Sequence, residues 1–105
     1  MQFIVMAKDG EDEEALNRRA AARDSHLAYS EIAAKSGEQL IAAAMLDGND
    51  NMRGSLLIVD FPSVEELKEW LDKEAYVTGN VWQNIDIIPC KIAPTFQHLV
   101  KKGRH

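Results

Sequence analysis

Two apolar runs of strand length face each other across a loop dense in turn formers: Gln39 to Leu46 (QLIAAAML), Asp47 to Asn51 (DGNDN), then Ser55 to Phe61 (SLLIVDF). Runs of this length bounded by Asp, Gly and Asn predict an antiparallel hairpin. The alanines of the first run are poor strand formers, so that strand is the weaker of the two. A central hairpin restricts the rest of the chain to elements that flank it on either side.

Those flanks are one strand and one helix each. Met1 to Lys8 (MQFIVMAK) is an apolar run closed by Asp9-Gly10, too short for a core helix and predicted as a buried strand. Acidic residues at Glu11 to Glu14 suit the positive end of a helix. From Ala15 to Lys35 the positions Leu16, Ala20, Leu27 and Ala34 fall together on a helical wheel and predict the core-facing stripe. Asp24-Ser25 are better caps than interior residues and predict a kink or restart just before His26. Gly37 is the expected stop. Beyond the hairpin, Ser63 and Glu66 form a capping box for a second helix whose buried face is Val64, Leu67, Trp70 and Leu71. A short turn or half-helix at Tyr76 to Asn80 leads into a last strand, Trp82 to Ala93, where Pro89 implies an edge or a bulge.

The order is β-α-β-β-α-β. It predicts an α+β, ferredoxin-like domain: a four-stranded antiparallel sheet with its helices on one face. Ile4, Ile58 and Ile87 make the other face apolar as well, so dimerisation through the sheet is expected. Residues 1–94 would form the domain and 95–105 a tail. Phe96, Leu99 and Val100 lie at helical spacing in that tail, which either docks on the sheet or on a partner subunit, or frays.

At 105 residues the chain makes one small domain that buries about two thirds of its unfolded surface, which also favours self-association. A net charge of −5 argues against nucleic-acid binding, and the only basic run, Lys101 to Arg104, is short. Cys90 is the single cysteine, which excludes an intrachain disulfide and cysteine-based zinc spacings; among isoleucines it reads as a buried, inert thiol. No apolar run reaches membrane-spanning length and no signal-peptide pattern appears, so a cytoplasmic protein is expected. The loop carboxylates at Asp47 to Asn51 lack the EF-hand ligand pattern. Nor is there a phosphate-cradling glycine loop, a nucleophile elbow or an H-E-x-x-H; no cofactor and no metal are expected.

Reactive groups concentrate between Arg18 and Ser30, where Arg19, Arg23, His26 and Ser30 share one helical side. Such a stripe either faces water or lines a cavity for something anionic. In the second case His26 moves a proton while Arg23 and Arg19 hold a carboxylate or phenolate. In the first, His26 is a packed histidine and the arginines are a solvated face. Glu74, or the nearer Asp24, is the candidate carboxylate partner of His26. Tyr76 and Trp82 flank a turn beside it.

Taken in order, R-x-x-H-L (Arg23 to Leu27), Gly54-Ser55 before a strand, and Tyr76-Val77 with Gly79-Asn80-Val81 after the second helix resemble the YciI-like, or YCII-related, proteins across residues 2 to 94. The resemblance implies a dimeric ferredoxin-like fold of the dimeric α/β-barrel group. Its members are suspected enzymes with a His/Asp pair and a serine in a pocket, and some relatives are dehydrochlorinases of chlorinated hydroquinones. Residue by residue it carries over His26, Arg23 and Ser55, with Glu74 standing at the family's carboxylate position; with the helical stripe and the turn beside it added, His26, Glu74 and Ser55 are the catalytic candidates and Arg23, Arg19 and Tyr76 the substrate-binding ones. It suggests a cofactor-independent isomerase or lyase acting on a small anionic cyclic or aromatic compound; the alternative is a non-catalytic ligand-binding or accessory domain. Two departures stand out: Glu74-Ala75 replaces the usual Asp-Pro, and Ala43-Ala44 replaces the usual Gly-Pro.

Overall fold

The computed structural model describes residues 1–100. The Lys101 to Arg104 run and His105 lie outside the described residues. The elements are β1 (Gln2–Asp9), α1 (Ala15–Ser36), β2 (Gln39–Leu46), β3 (Met52–Asp60), α2 (Val64–Asp72), the one-turn α3 (Ala75–Thr78), β4 (Trp82–Cys90) and a 3-10 turn at Pro94–Leu99. All strand pairs are antiparallel, in the order β2-β3-β1-β4. This is the expected βαββαβ arrangement. Pro89 falls on β4, an edge strand, where its missing N–H costs no ladder bond on the open side.

Register decides which side chains see the helices. Phe3 opposes Val59, Val5 opposes Leu57 and Ala7 opposes Ser55, all buried beneath α1 and α2. Leu67 and Leu71 of α2, with Phe61, Tyr76, Val81 and Trp82, complete the core. Each such apolar side chain contributes roughly 1.5–3 kcal/mol on burial. Ser63 accepts from the Glu66 N–H at 3.2 Å, so α2 begins where the capping residues place it. Gly37 ends α1 at φ 86°, a left-handed cap that bonds back to the last turn. Gly54 is required for a different reason: a Cβ there would lie 2.5 Å from the Ala7 carbonyl oxygen.

Several expectations are corrected. Ile87 opposes Val5 and therefore packs toward the helices; Ile88, opposite Ile4, is the residue on the uncovered face. α1 runs unbroken through Asp24 and Ser25, because both point to solvent and packing elsewhere along the helix outweighs their modest propensity cost. It starts at Ala15, after the acidic cluster, with no acidic residue in its first turn. Leu16 and Leu27 are 49% and 46% exposed, so the predicted apolar stripe is not the buried one. The face toward the sheet carries Arg19, His26 and Ala33 instead. β1 extends one residue further than expected, through a bulge at Lys8/Asp9, and so carries Asp9 inward. Met52 to Gly54 belong to β3, and the last strand stops at Cys90. The 3-10 turn leaves Phe96 and Leu99 exposed rather than docked on the chain's own sheet.

Candidate functional site

Between α1 and the sheet lies a cavity of about 170 Å³. One wall is Arg19, Arg23, His26, Leu27 and Ser30 of α1; the sheet supplies Ala42, Ala43 and Ala44, with Ser55, Leu57 and Met52 from β3, and Tyr76 closes one side. The strand alanines that weaken β2 as a strand are what leave this space open. All four residues of the polar stripe line this cavity, Arg19 buried, His26 and Ser30 half-buried and Arg23 exposed.

His26 is held on two sides. Its Nδ1 lies 2.7 Å from Glu74 Oε1, and its ring stacks on Tyr76 with centroids 3.8 Å apart at 8°. Glu74 is fully buried. The same Oε1 accepts the Tyr76 N–H at 3.0 Å, so Glu74 serves as N-cap of α3 while it orients the imidazole. A carboxylate on Nδ1 fixes the ring with its proton there and turns the lone pair of Nε2 away from Glu74. Asp24, the alternative partner, is exposed on the outer face of α1 and makes no such contact. Glu74 Oε2 is buried without a hydrogen-bond partner among the described residues.

Arg19 is buried, with both terminal nitrogens paired and Nε without a hydrogen-bond partner among the described residues. Its Nη1 donates to both Asp9 oxygens at 3.0 and 2.9 Å, its Nη2 donates to Ser55 Oγ at 3.2 Å, and its guanidinium carbon sits 4.7 Å over the Tyr76 ring. Tyr76 is thus sandwiched between an arginine and a histidine. Burial pushes the Tyr76 phenol above its ordinary value, against the pull of Arg19 and Arg23, so it stays protonated at neutral pH. Ser55 Oγ also accepts from Trp82 Nε1 at 3.3 Å. Ser30 donates to Gln39 at 2.7 Å. Arg23 is exposed at the cavity mouth and makes no hydrogen bond or ion pair among the described residues.

Asp9 is a site residue that the local sequence pattern does not single out. Its signal was present, since a carboxylate ending an apolar strand ten residues before an arginine can meet it across a helix entry. Locally, Asp9-Gly10 reads as turn chemistry instead. Trp82, which flanks the turn beside Tyr76, reaches the site through its hydrogen bond to Ser55.

Residues 1–91 match the YCII-related domain. Protein YciI of Escherichia coli O6:H1 is 31% identical over 97 residues, covering 87% of this chain and 97% of that protein, and Protein YciI of Shigella flexneri matches to the same extent. The chain belongs to the YCII-related domain family. Among solved structures, 5-chloro-2-hydroxyhydroquinone dehydrochlorinase (TftG) from Burkholderia phenoliruptrix AC1100, in complex with 2,5-dihydroxybenzoquinone, superposes with a TM-score of 0.78 at 20% identity, covering 90% of this chain and 98% of that one. At that identity the likeness shows a shared fold. No helix among the described residues is long and apolar enough to cross a membrane.

Proposed function

We propose that this YCII-related protein is a cofactor-independent isomerase or lyase, dehydrochlorinase-like, acting on a small anionic cyclic or aromatic compound in the cytoplasm. The observation that carries the reading is the His26–Glu74 pair at 2.7 Å, set on the wall of a cavity that also holds Arg23. Glu74 keeps Nε2 as the base. When Nε2 takes a proton from the bound ring, charge develops on a ring oxygen, and Arg23 with Ser55 stabilises it. Return of the proton at another atom isomerises the compound; departure of a leaving group such as chloride completes an elimination. Arg19 supports this wall rather than meeting the substrate, and Tyr76, its two ring faces covered by Arg19 and His26, offers the substrate only its edge.

The dimer belongs to the same proposal. Ile4, Ile41, Leu56, Ile58 and Ile88 share the sheet face that no helix covers, with Ile41 and Ile88 about half exposed. A second copy placed face to face would bury it with C2 symmetry. Residues 1–94 act as the domain in this scheme, with the 3-10 turn beginning the tail.

The test is chloride release from 5-chloro-2-hydroxyhydroquinone together with binding of 2,5-dihydroxybenzoquinone. Turnover by wild type and its loss, on the order of a hundredfold or more, in His26→Ala supports the reading. Binding without turnover, unaffected by His26→Gln, would identify a non-catalytic binding domain instead.

A further inference from the structure

Ser55 Oγ has two lone pairs and one proton. Both lone pairs are engaged by obligate donors, Arg19 Nη2 at 3.2 Å and Trp82 Nε1 at 3.3 Å. Neither partner can accept, so the Ser55 proton has nowhere to go on that side. Among the described residues no acceptor takes it, and Ser55 is one of the residues lining the cavity. Arg19 cannot turn away, because Asp9 holds it through both carboxylate oxygens.

We infer that Ser55 is an obligate hydrogen-bond donor into the cavity, forming a subsite for an acceptor-only oxygen: a phenolate, enolate or carboxylate oxygen, and not a hydroxyl used as donor or an amine. This rests on the cavity being the ligand site and adds which atom of the ligand meets which wall. With its lone pairs occupied, Ser55 has no electron pair to offer as a nucleophile or base. Asp9 and Trp82 are positioning residues that act through it. Discrimination of this kind is strong, because a ligand donor placed there would leave two buried donors facing each other.

The probes are para-nitrophenolate and para-nitroaniline, which have nearly the same shape but present an oxyanion or an amine. Binding is followed by their absorbance and by tryptophan fluorescence, at a pH where the phenol is ionised. Wild type is expected to prefer the phenolate by about tenfold or more, the weight of one charge-assisted hydrogen bond. Ser55→Ala and the shape-keeping Ser55→Cys should lose most of that preference while nitroaniline binding is retained. Trp82→Phe, which frees one lone pair and lets the hydroxyl turn, should reduce the preference with Ser55 still in place. An unchanged preference in folded Ser55→Cys and Trp82→Phe overturns the subsite while leaving the cavity as a ligand site. Failure of both probes to bind wild type overturns the cavity reading with it.

Discussion

Replacing Asp9 by asparagine tests whether the charge beneath the cavity is held as the geometry indicates. Arg19 and Asp9 side chains are 7% and 4% exposed, so neither can recover its partner from solvent. An exposed pair would be worth at most about 1 kcal/mol. Removing one member of a buried pair costs about 3–5 kcal/mol, because the other charge is left uncompensated. Asparagine keeps the shape and one acceptor oxygen, which places Asp9→Asn at the lower end, about 3 kcal/mol. For a domain of this size that corresponds to a drop in Tm of roughly 12 °C or more. The double variant Asp9→Asn/Arg19→Met removes the stranded charge as well. It gives up the Ser55 hydrogen bond and the contact with Tyr76, about 1 kcal/mol each, but is expected to be more stable than Asp9→Asn alone. Urea and thermal unfolding at one fixed protein concentration measure both, since dimerisation would make Tm depend on concentration. A loss below about 1 kcal/mol in the single variant, or a double variant whose loss equals the sum of the two singles, refutes the argument that these charges are buried against each other.

Three further outcomes follow from particular contacts. Arg18 grips Asp12 at 2.6 Å and holds its carboxyl down to about 2 from an ordinary 3.8, so this pair supports the fold above pH 4 and its contribution is lost as pH falls through about 2; in Arg18→Gln the Asp12 carboxyl carbon should titrate near the ordinary value by NMR, and an unmoved midpoint contradicts the assignment. Gly54→Ala forces a Cβ against the Ala7 carbonyl and should cost roughly 1–3 kcal/mol in chemical denaturation, whereas a neutral effect would mean that β1 and β3 are further apart than described. Nitrogen NMR should find the His26 proton on Nδ1 in wild type and a tautomer mixture in Glu74→Ala; a wild-type ring protonated on Nε2 alone would remove Glu74 as its orienting group.

The order of elements, the hairpin, the cap of α2 and the polar stripe of α1 were all determined by local sequence. Each depends on periodicity, turn chemistry or capping within a few residues, and these act whatever the rest of the chain does. Which face of α1 turns inward was not determined that way. Arg19, His26 and Ala33 face the sheet in place of the Leu16/Leu27 stripe, and that inversion needs Asp9 and Glu74, 10 and 48 residues away, to satisfy the buried polar groups. Likewise the side of the sheet on which Ile87 and Ile88 fall depends on register, where a shift of one residue exchanges the faces. A polar side chain is cheap to bury only where its partner is waiting, and the partner's position is a property of the tertiary structure.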